Sequence, residues 1–194
     1  MSGFGPVPAR IARWRPEEAI GLEHLELAPA ASGVRARGTI IGGRGGVPYG
    51  VSYDIACDEA WRTRSLHLRT ASGRSIDIRS DGAGHWTDAA GLALPRLEGA
   101  IDVDLAGSAF TNTLPIRRLG LQAGERSPDL KMVYVPFDSF EPVIDLQIYT
   151  CLEPGARYLY QAADRSFEAE LPVDGDGLVI DYPSLFRRLP DPSS

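Results

Sequence analysis

Apolar and polar residues alternate one for one in four separate stretches of this chain. In Ser65-Leu66-His67-Leu68-Arg69 the two leucines share one side, and Ser75-Ile76-Asp77-Ile78-Arg79 does the same with its isoleucines. Ile101-Asp102-Val103-Asp104-Leu105 and Ser166-Phe167-Glu168-Ala169-Glu170-Leu171 follow the same rhythm. Successive side chains of a strand point to opposite faces, so a period of two means one wall buried and one wall wet, as in antiparallel sheet. Val51–Asp54, Lys131–Val135, Ile144–Tyr149, Arg157–Gln161 and Leu178–Tyr182 are further strand candidates. Between these segments recur 21 Gly and 15 Pro, the residues that open and close turns. The pattern predicts a mainly β protein.

The rhythm breaks between Ser108 and Leu121, where Phe110, Leu114, Leu119 and Leu121 are not two apart. Ser108, Thr111 and Thr113 are candidate N-caps, Pro115 suits a first turn, and Gly120 can stop a helix. Arg117 and Arg118 then sit where the helix dipole favours cations. A single short helix is expected over Asn112–Leu119, and a one-turn helix over Pro183–Leu189. A lone mid-chain helix must be covered by sheet, because each sheet needs its apolar face hidden. The expected organisation is one domain over residues 12–189, flanked by loose segments at 1–11 and 190–194.

Composition narrows the function. The net charge of −6 opposes the basic field of a general nucleic-acid binder, and no apolar run is long enough for a membrane span. Residues 1–16 lack the apolar core of a secretory signal, so a cytoplasmic location is expected. Cys57 and Cys151 read as buried thiols in a reducing compartment. Nineteen of the 20 basic residues are Arg, scattered evenly along the chain.

No known catalytic or metal pattern is present. His24, His67 and His85 are not at metal spacing, and there is no His-Glu-x-x-His, Cys-x-x-Cys or Gly-x-Ser-x-Gly. Gly42-Gly43-Arg44-Gly45-Gly46 lacks the Lys-Ser/Thr of a phosphate loop and reads as a hairpin tip. Asp174-Gly175-Asp176-Gly177 lacks the acidic residue that would close a calcium loop. The acid pairs Asp102/Asp104 and Glu168/Glu170 follow the wet side of the alternation. Asp81-Gly82-Ala83-Gly84 and Asp174-Gly175-Asp176-Gly177 form a weak repeat, either a duplicated ligand loop or a recurrent Asp-Gly turn. The chain implies no cofactor and no metal.

The polar cluster Phe110-Thr111-Asn112-Thr113-Leu114-Pro115-Ile116-Arg117-Arg118-Leu119 carries the most information. Its arginines either pair with inward carboxylates such as Asp104 or Asp181, or grip an anionic or sugar-rich head group. Trp14, Trp61, Trp86, Tyr149 and Tyr160 either fill the core or stack on a ligand. The candidate ligand-binding set is Arg117, Arg118, Asn112, Thr111, Trp61, Arg64, Trp86 and Tyr149.

That cluster resembles the bacterial glycolipid-binding family, formerly a domain of unknown function. So do Trp14 with Gly21-Leu22-Glu23, Tyr53-Asp54-Ile55-Ala56-Cys57-Asp58 before Trp61-Arg62-Thr63-Arg64, Asp81-Gly82-Ala83-Gly84-His85-Trp86, and Gly177-Leu178-Val179-Ile180-Asp181-Tyr182-Pro183. The resemblance spans residues 12 to 188. It implies a spiral β-roll, a long, mostly antiparallel sheet wrapped around a single central helix, and a homodimer. It also implies a non-catalytic partner for a glycolipid or other amphiphile. The competing expectation is a homodimeric interaction module with no small ligand. An enzyme is the third, to be known by a pocket holding a carboxylate or His with a displaced pKa.

Overall fold

The computed structural model describes residues 4–44 and 46–190. The strands are β1 (Arg10–Pro16), β2 (Leu22–Ala30), β3 (Gly33–Arg44), β4 (Val47–Cys57), β5 (Thr63–Thr70), β6 (Ser75–Ser80), β7 (Trp86–Asp88), β8 (Asp102–Leu105), β9 (Leu130–Val135), β10 (Val143–Glu153), β11 (Arg157–Ala162), β12 (Glu168–Pro172), β13 (Asp181–Tyr182) and β14 (Phe186–Arg188). The helix α1 is Thr113–Leu119, entered through a 3₁₀ turn at Phe110–Asn112. No helix among the described residues is long and apolar enough to cross a membrane.

Two separate sheets form. Nine strands pair in the order β13-β14-β1-β2-β3-β4-β5-β6-β7, and five pair in the order β12-β11-β10-β9-β8. All named pairings are antiparallel except β8 with β9. Three of the four alternating segments behave as their period requires; on β5, Leu66 and Leu68 are fully buried while His67 between them is exposed.

The spiral β-roll is not what forms: neither sheet is closed or wound around the helix, and the strands are divided between two sheets. The break lies after β7. The chain turns back there, Thr87 bridges to Ala93, and the Leu94 N–H donates to the Trp86 carbonyl. That return segment occupies the outer edge of β7. The next strand, β8, pairs in parallel with β9 and so belongs to the second sheet. The helix is buried as expected, with Leu114 in the first sheet's core and Ile116 in the second's.

Three smaller expectations are corrected. Pro183–Leu189 is a turn followed by β14, because Phe186 and Arg188 are taken up in pairing with β13 and β1. Asp102 and Asp104 are not on a wet face: Asp102 is fully buried and Asp104 half-buried, since β8 is covered on both sides. The helix is capped mainly from afar. Ser108 Oγ accepts the Thr111 N–H at 3.3 Å, but the Ala109 and Phe110 N–H groups donate to the carboxylate of Glu23, on β2.

Packing explains that long reach. The inward face of β3 carries Val34, Ala36, Gly38 and Ile40. Gly38 pairs with Tyr53 of β4, and a Cβ at Gly38 would lie 2.3 Å from the tyrosine ring. The missing side chain lets Tyr53 lie across the strand, stack on Phe110 and donate its hydroxyl hydrogen to Glu23 at 2.9 Å.

Candidate functional site

A cleft of about 1190 Å³ opens between the two sheets. That exceeds the usual range for a drug-sized ligand, roughly 300–1,000 Å³. One wall comes from β1, β3, β4, β13 and β14, through Pro16, Gly43, Tyr49, Tyr182 and Phe186. The other comes from β8 to β11 and the turn after them, through Asp104, Tyr134, Asp145, Leu146, Tyr160 and Phe167. Leu105, Ser108 and Asn112 are lining residues that are buried in the protein, so they form its deep end.

A chain of hydrogen bonds fixes the polar groups of that end. The Thr111 hydroxyl donates to Asp104 Oδ1 at 2.8 Å. Gln147, almost wholly buried, donates its amide to Asp104 Oδ2 at 2.8 Å and to Asp145 Oδ2 at 3.0 Å. The Tyr149 hydroxyl donates to Asn112 Oδ1 at 2.9 Å, with Gln147 Oε1 at 3.3 Å. The Ser108 hydroxyl donates to Glu23 Oε1 at 2.6 Å. Burial opposes ionisation, so Glu23 is pushed up to about 7 and Asp104 to about 6, the latter helped by the neighbouring charge of Asp145.

The aromatic side chains form a connected band. Tyr160 meets Tyr149 edge-on with centroids 5.5 Å apart, and touches Phe167 and Tyr182 at 6.1 and 6.0 Å. Tyr182 continues to Phe186 at 6.2 Å. The rim is mixed: Leu146 and Leu185 line it and are exposed, and so are Glu18, Asp129 and Asp164. Ile20, 96% exposed, follows the lining residue Ala19, and exposed Ile41 and Val47 stand on the β3–β4 hairpin beside Gly43.

Of the eight residues singled out from sequence, Asn112 lines this cleft, and Thr111 and Tyr149 stand directly behind it, bonded to lining groups. Arg117 lies elsewhere. Its guanidinium sits between the rings of Trp61 and Phe4, at 4.4 and 5.1 Å, and donates to the carbonyls of Asp176 and Gly5 at 2.7 and 2.6 Å. Arg118 grips both oxygens of Asp102, with bonds of 2.6 to 3.0 Å. The inward partner is thus Asp102 rather than Asp104 or Asp181. Arg64 donates to the Ser80 carbonyl at 3.1 Å, and Trp86 Nε1 to the Ala100 carbonyl at 2.8 Å within the core. These five residues do not line the cleft.

Sequence reasoning gave Asp104 only as a wet-side acid or a partner for the helix arginines, and passed over Asp145 and Gln147, which lie on a strand candidate with no motif to mark them. Tyr160 was noticed only as an aromatic. The Asp-Gly repeat is a turn device. Asp81 and Asp174 each accept the N–H groups two and four residues on, and so do Asp58 and Asp88, which no Asp-Gly motif marks. Among the described residues no three His, Cys, Asp or Glu side chains form a metal-holding group.

Comparison with known proteins agrees with the resemblance. Among curated proteins no match is found. The crystal structure of a DUF1089 family protein from Pseudomonas aeruginosa is similar, with 37% identity over 97% of each chain and a TM-score of 0.70. Residues 11–188 match the family described as "Putative glycolipid-binding", a description of binding and not of a reaction. The chain belongs to this bacterial family of glycolipid-binding type, formerly known only as a domain of unknown function.

Proposed function

We propose that the cleft between the sheets is the lipid site of this glycolipid-binding-type protein. The head group lies against Asp104, Asn112 and Ser108. The acyl part runs along Tyr160, Tyr182 and Phe186 toward Leu146 and Leu185 at the rim. The observation that carries this reading is the cleft itself, in which buried hydrogen-bonding groups adjoin a band of aromatic side chains. Polar and apolar surface side by side suit an amphiphile. Thr111 and Tyr149 act here by holding Asp104 and Asn112 in place.

The rest of the proposal is a cytoplasmic homodimer whose single domain spans residues 12–189. Two buried free thiols, Cys57 and Cys151, suit a reducing compartment. The homodimer rests on the family resemblance.

Native mass spectrometry of the purified protein, followed by lipid extraction, tests the site. Bound amphiphile is expected, and Ala162→Trp, which fills the cleft from β11, is expected to abolish its uptake. A protein that takes up no amphiphile, or an Ala162→Trp variant that retains full uptake, overturns the proposal.

A further inference from the structure

Three rings on the cleft wall pack as one group. Tyr160, Phe167 and Tyr182 have their centroids 6.0 to 6.1 Å apart and are tilted by 49 to 63° to one another, so none hides its face by stacking on another. Two carboxylates border the same volume. Asp104 Oδ2 and Asp145 Oδ2 accept from one nitrogen, the Gln147 amide, at 2.8 and 3.0 Å. Burial raises the Tyr160 hydroxyl, and the charges of Asp104 and Asp145 nearby raise it further. This acid pair differs from the other shielded acids of the chain. Asp58, Asp102 and Asp174 each pair with arginine. Asp104 and Asp145 are held instead by neutral donors, the Thr111 hydroxyl and the Gln147 amide, and no Arg, Lys or His lines the cleft among the described side chains.

Rings and acids together choose the charge of a head group. An anion adds a third like charge to the pair, and a neutral head leaves the pair without a counter-charge. An ammonium group neutralises the two carboxylates, and the negative face of an aromatic ring attracts it as well. We infer that the cleft takes amphiphiles whose head carries an ammonium group, seated between the Asp104 and Asp145 carboxylates and the rings of Tyr160, Phe167 and Tyr182. On a glycolipid that charge belongs to an amino sugar. This inference rests on the cleft being the lipid site and adds the charge of the lipid it takes.

Three probes with one tail separate the two claims: octyltrimethylammonium, octyl glucoside and octyl phosphate, each titrated calorimetrically below its micellar concentration. The ammonium probe is expected to bind at least about tenfold more tightly than the glucoside, a difference of about 1.4 kcal/mol, and the phosphate most weakly. Replacing charge while keeping shape, in Asp145→Asn and separately in Asp104→Asn, is expected to narrow that ratio in each variant that circular dichroism shows folded. Glu170→Gln removes an exposed carboxylate that does not line the cleft, and is expected to leave the ratio unchanged. Glucoside or phosphate binding as tight as ammonium, or a ratio that Glu170→Gln narrows as much as Asp145→Asn does, overturns the charged head and leaves the lipid site standing. If none of the three binds, the lipid site falls and the charged head with it.

Discussion

Glu23 and Ser108 lie 85 residues apart in the chain and share a buried hydrogen bond of 2.6 Å, in which the serine hydroxyl donates to the carboxyl group. Tyr53 and the Ala109 N–H donate to the same group. One carboxyl on the large sheet therefore caps the segment that enters the helix and fixes a lining residue of the cleft.

This carboxyl gives stability a pH dependence. Burial raises Glu23 from 4.5 to about 7, so the folded state holds the proton more tightly than the unfolded chain. Its stabilising contribution is full below about 4.5 and is lost as pH rises through about 7, on the order of 3 kcal/mol in all. Asp104, raised from 3.8 to about 6, acts in the same sense at lower pH. Urea unfolding between pH 5 and 8 is expected to show falling stability for the native protein and a flatter profile for Glu23→Gln.

The Arg118–Asp102 pair is the second test. Asp102 is buried to 1% and Arg118 to 14% side-chain exposure, so removing one partner strands a charge in the interior. Arg118→Ala or Asp102→Ala is expected to cost about 3–5 kcal/mol, whereas the double replacement by Leu costs much less. Urea midpoints of the three variants distinguish a stranded charge from simple loss of packing.

Arg117 tests whether a residue in the most conspicuous motif serves the fold or the ligand. Arg117→Ala loses two ring contacts and two carbonyl bonds, and a loss of about 1–3 kcal/mol is expected. Arg117→Lys should not restore it, because an ammonium cannot lie flat between Trp61 and Phe4 while reaching both carbonyls. Octyl glucoside affinity, measured by calorimetry, should not change in either variant.

Tyr149→Phe removes the donor to Asn112 Oδ1. A buried acceptor left without its donor costs about 1–3 kcal/mol. Because Asn112 lines the cleft, a several-fold loss of glucoside affinity should accompany the lower melting temperature.

The cysteines should be silent. Both are buried and free, and burial pushes the Cys57 thiol up to about 12 and raises Cys151 as well. A thiol held this far from ionisation is a poor nucleophile. A colourimetric thiol reagent at neutral pH is expected to label neither residue until denaturant is added.

Strands such as β5 and β12 were legible because an unbroken period of two survives in Leu66/Leu68 and Ala169/Leu171. The first three strands were not. On β2 the buried face includes Glu23, which breaks the apolar rhythm, and on β3 it is built partly from Ala36 and Gly38 to make room for Tyr53. The division into two sheets was hidden for a different reason. It depends on the turn that covers β7 and on the parallel partner of β8, and pairings between distant segments leave no local trace. The helix was legible, down to Gly120 in the left-handed region with φ 57°. Its remote cap was not, since nothing near Ser108 announces a glutamate on another strand. At the site, Asn112, Thr111 and Tyr149 came forward with the motif, while Asp104 was misread because alternation cannot tell water from a cleft.

Tyr182, Ser184, Leu185 and Phe186 all line the cleft, and β14 reaches its place only by pairing beside β1. A chain still emerging from the ribosome thus holds the first strand of its large sheet without one neighbour until residue 188 is out. The cleft therefore lacks one wall in every nascent chain that stops short of β13 and β14, and the proposed site can fill only after those strands have been translated.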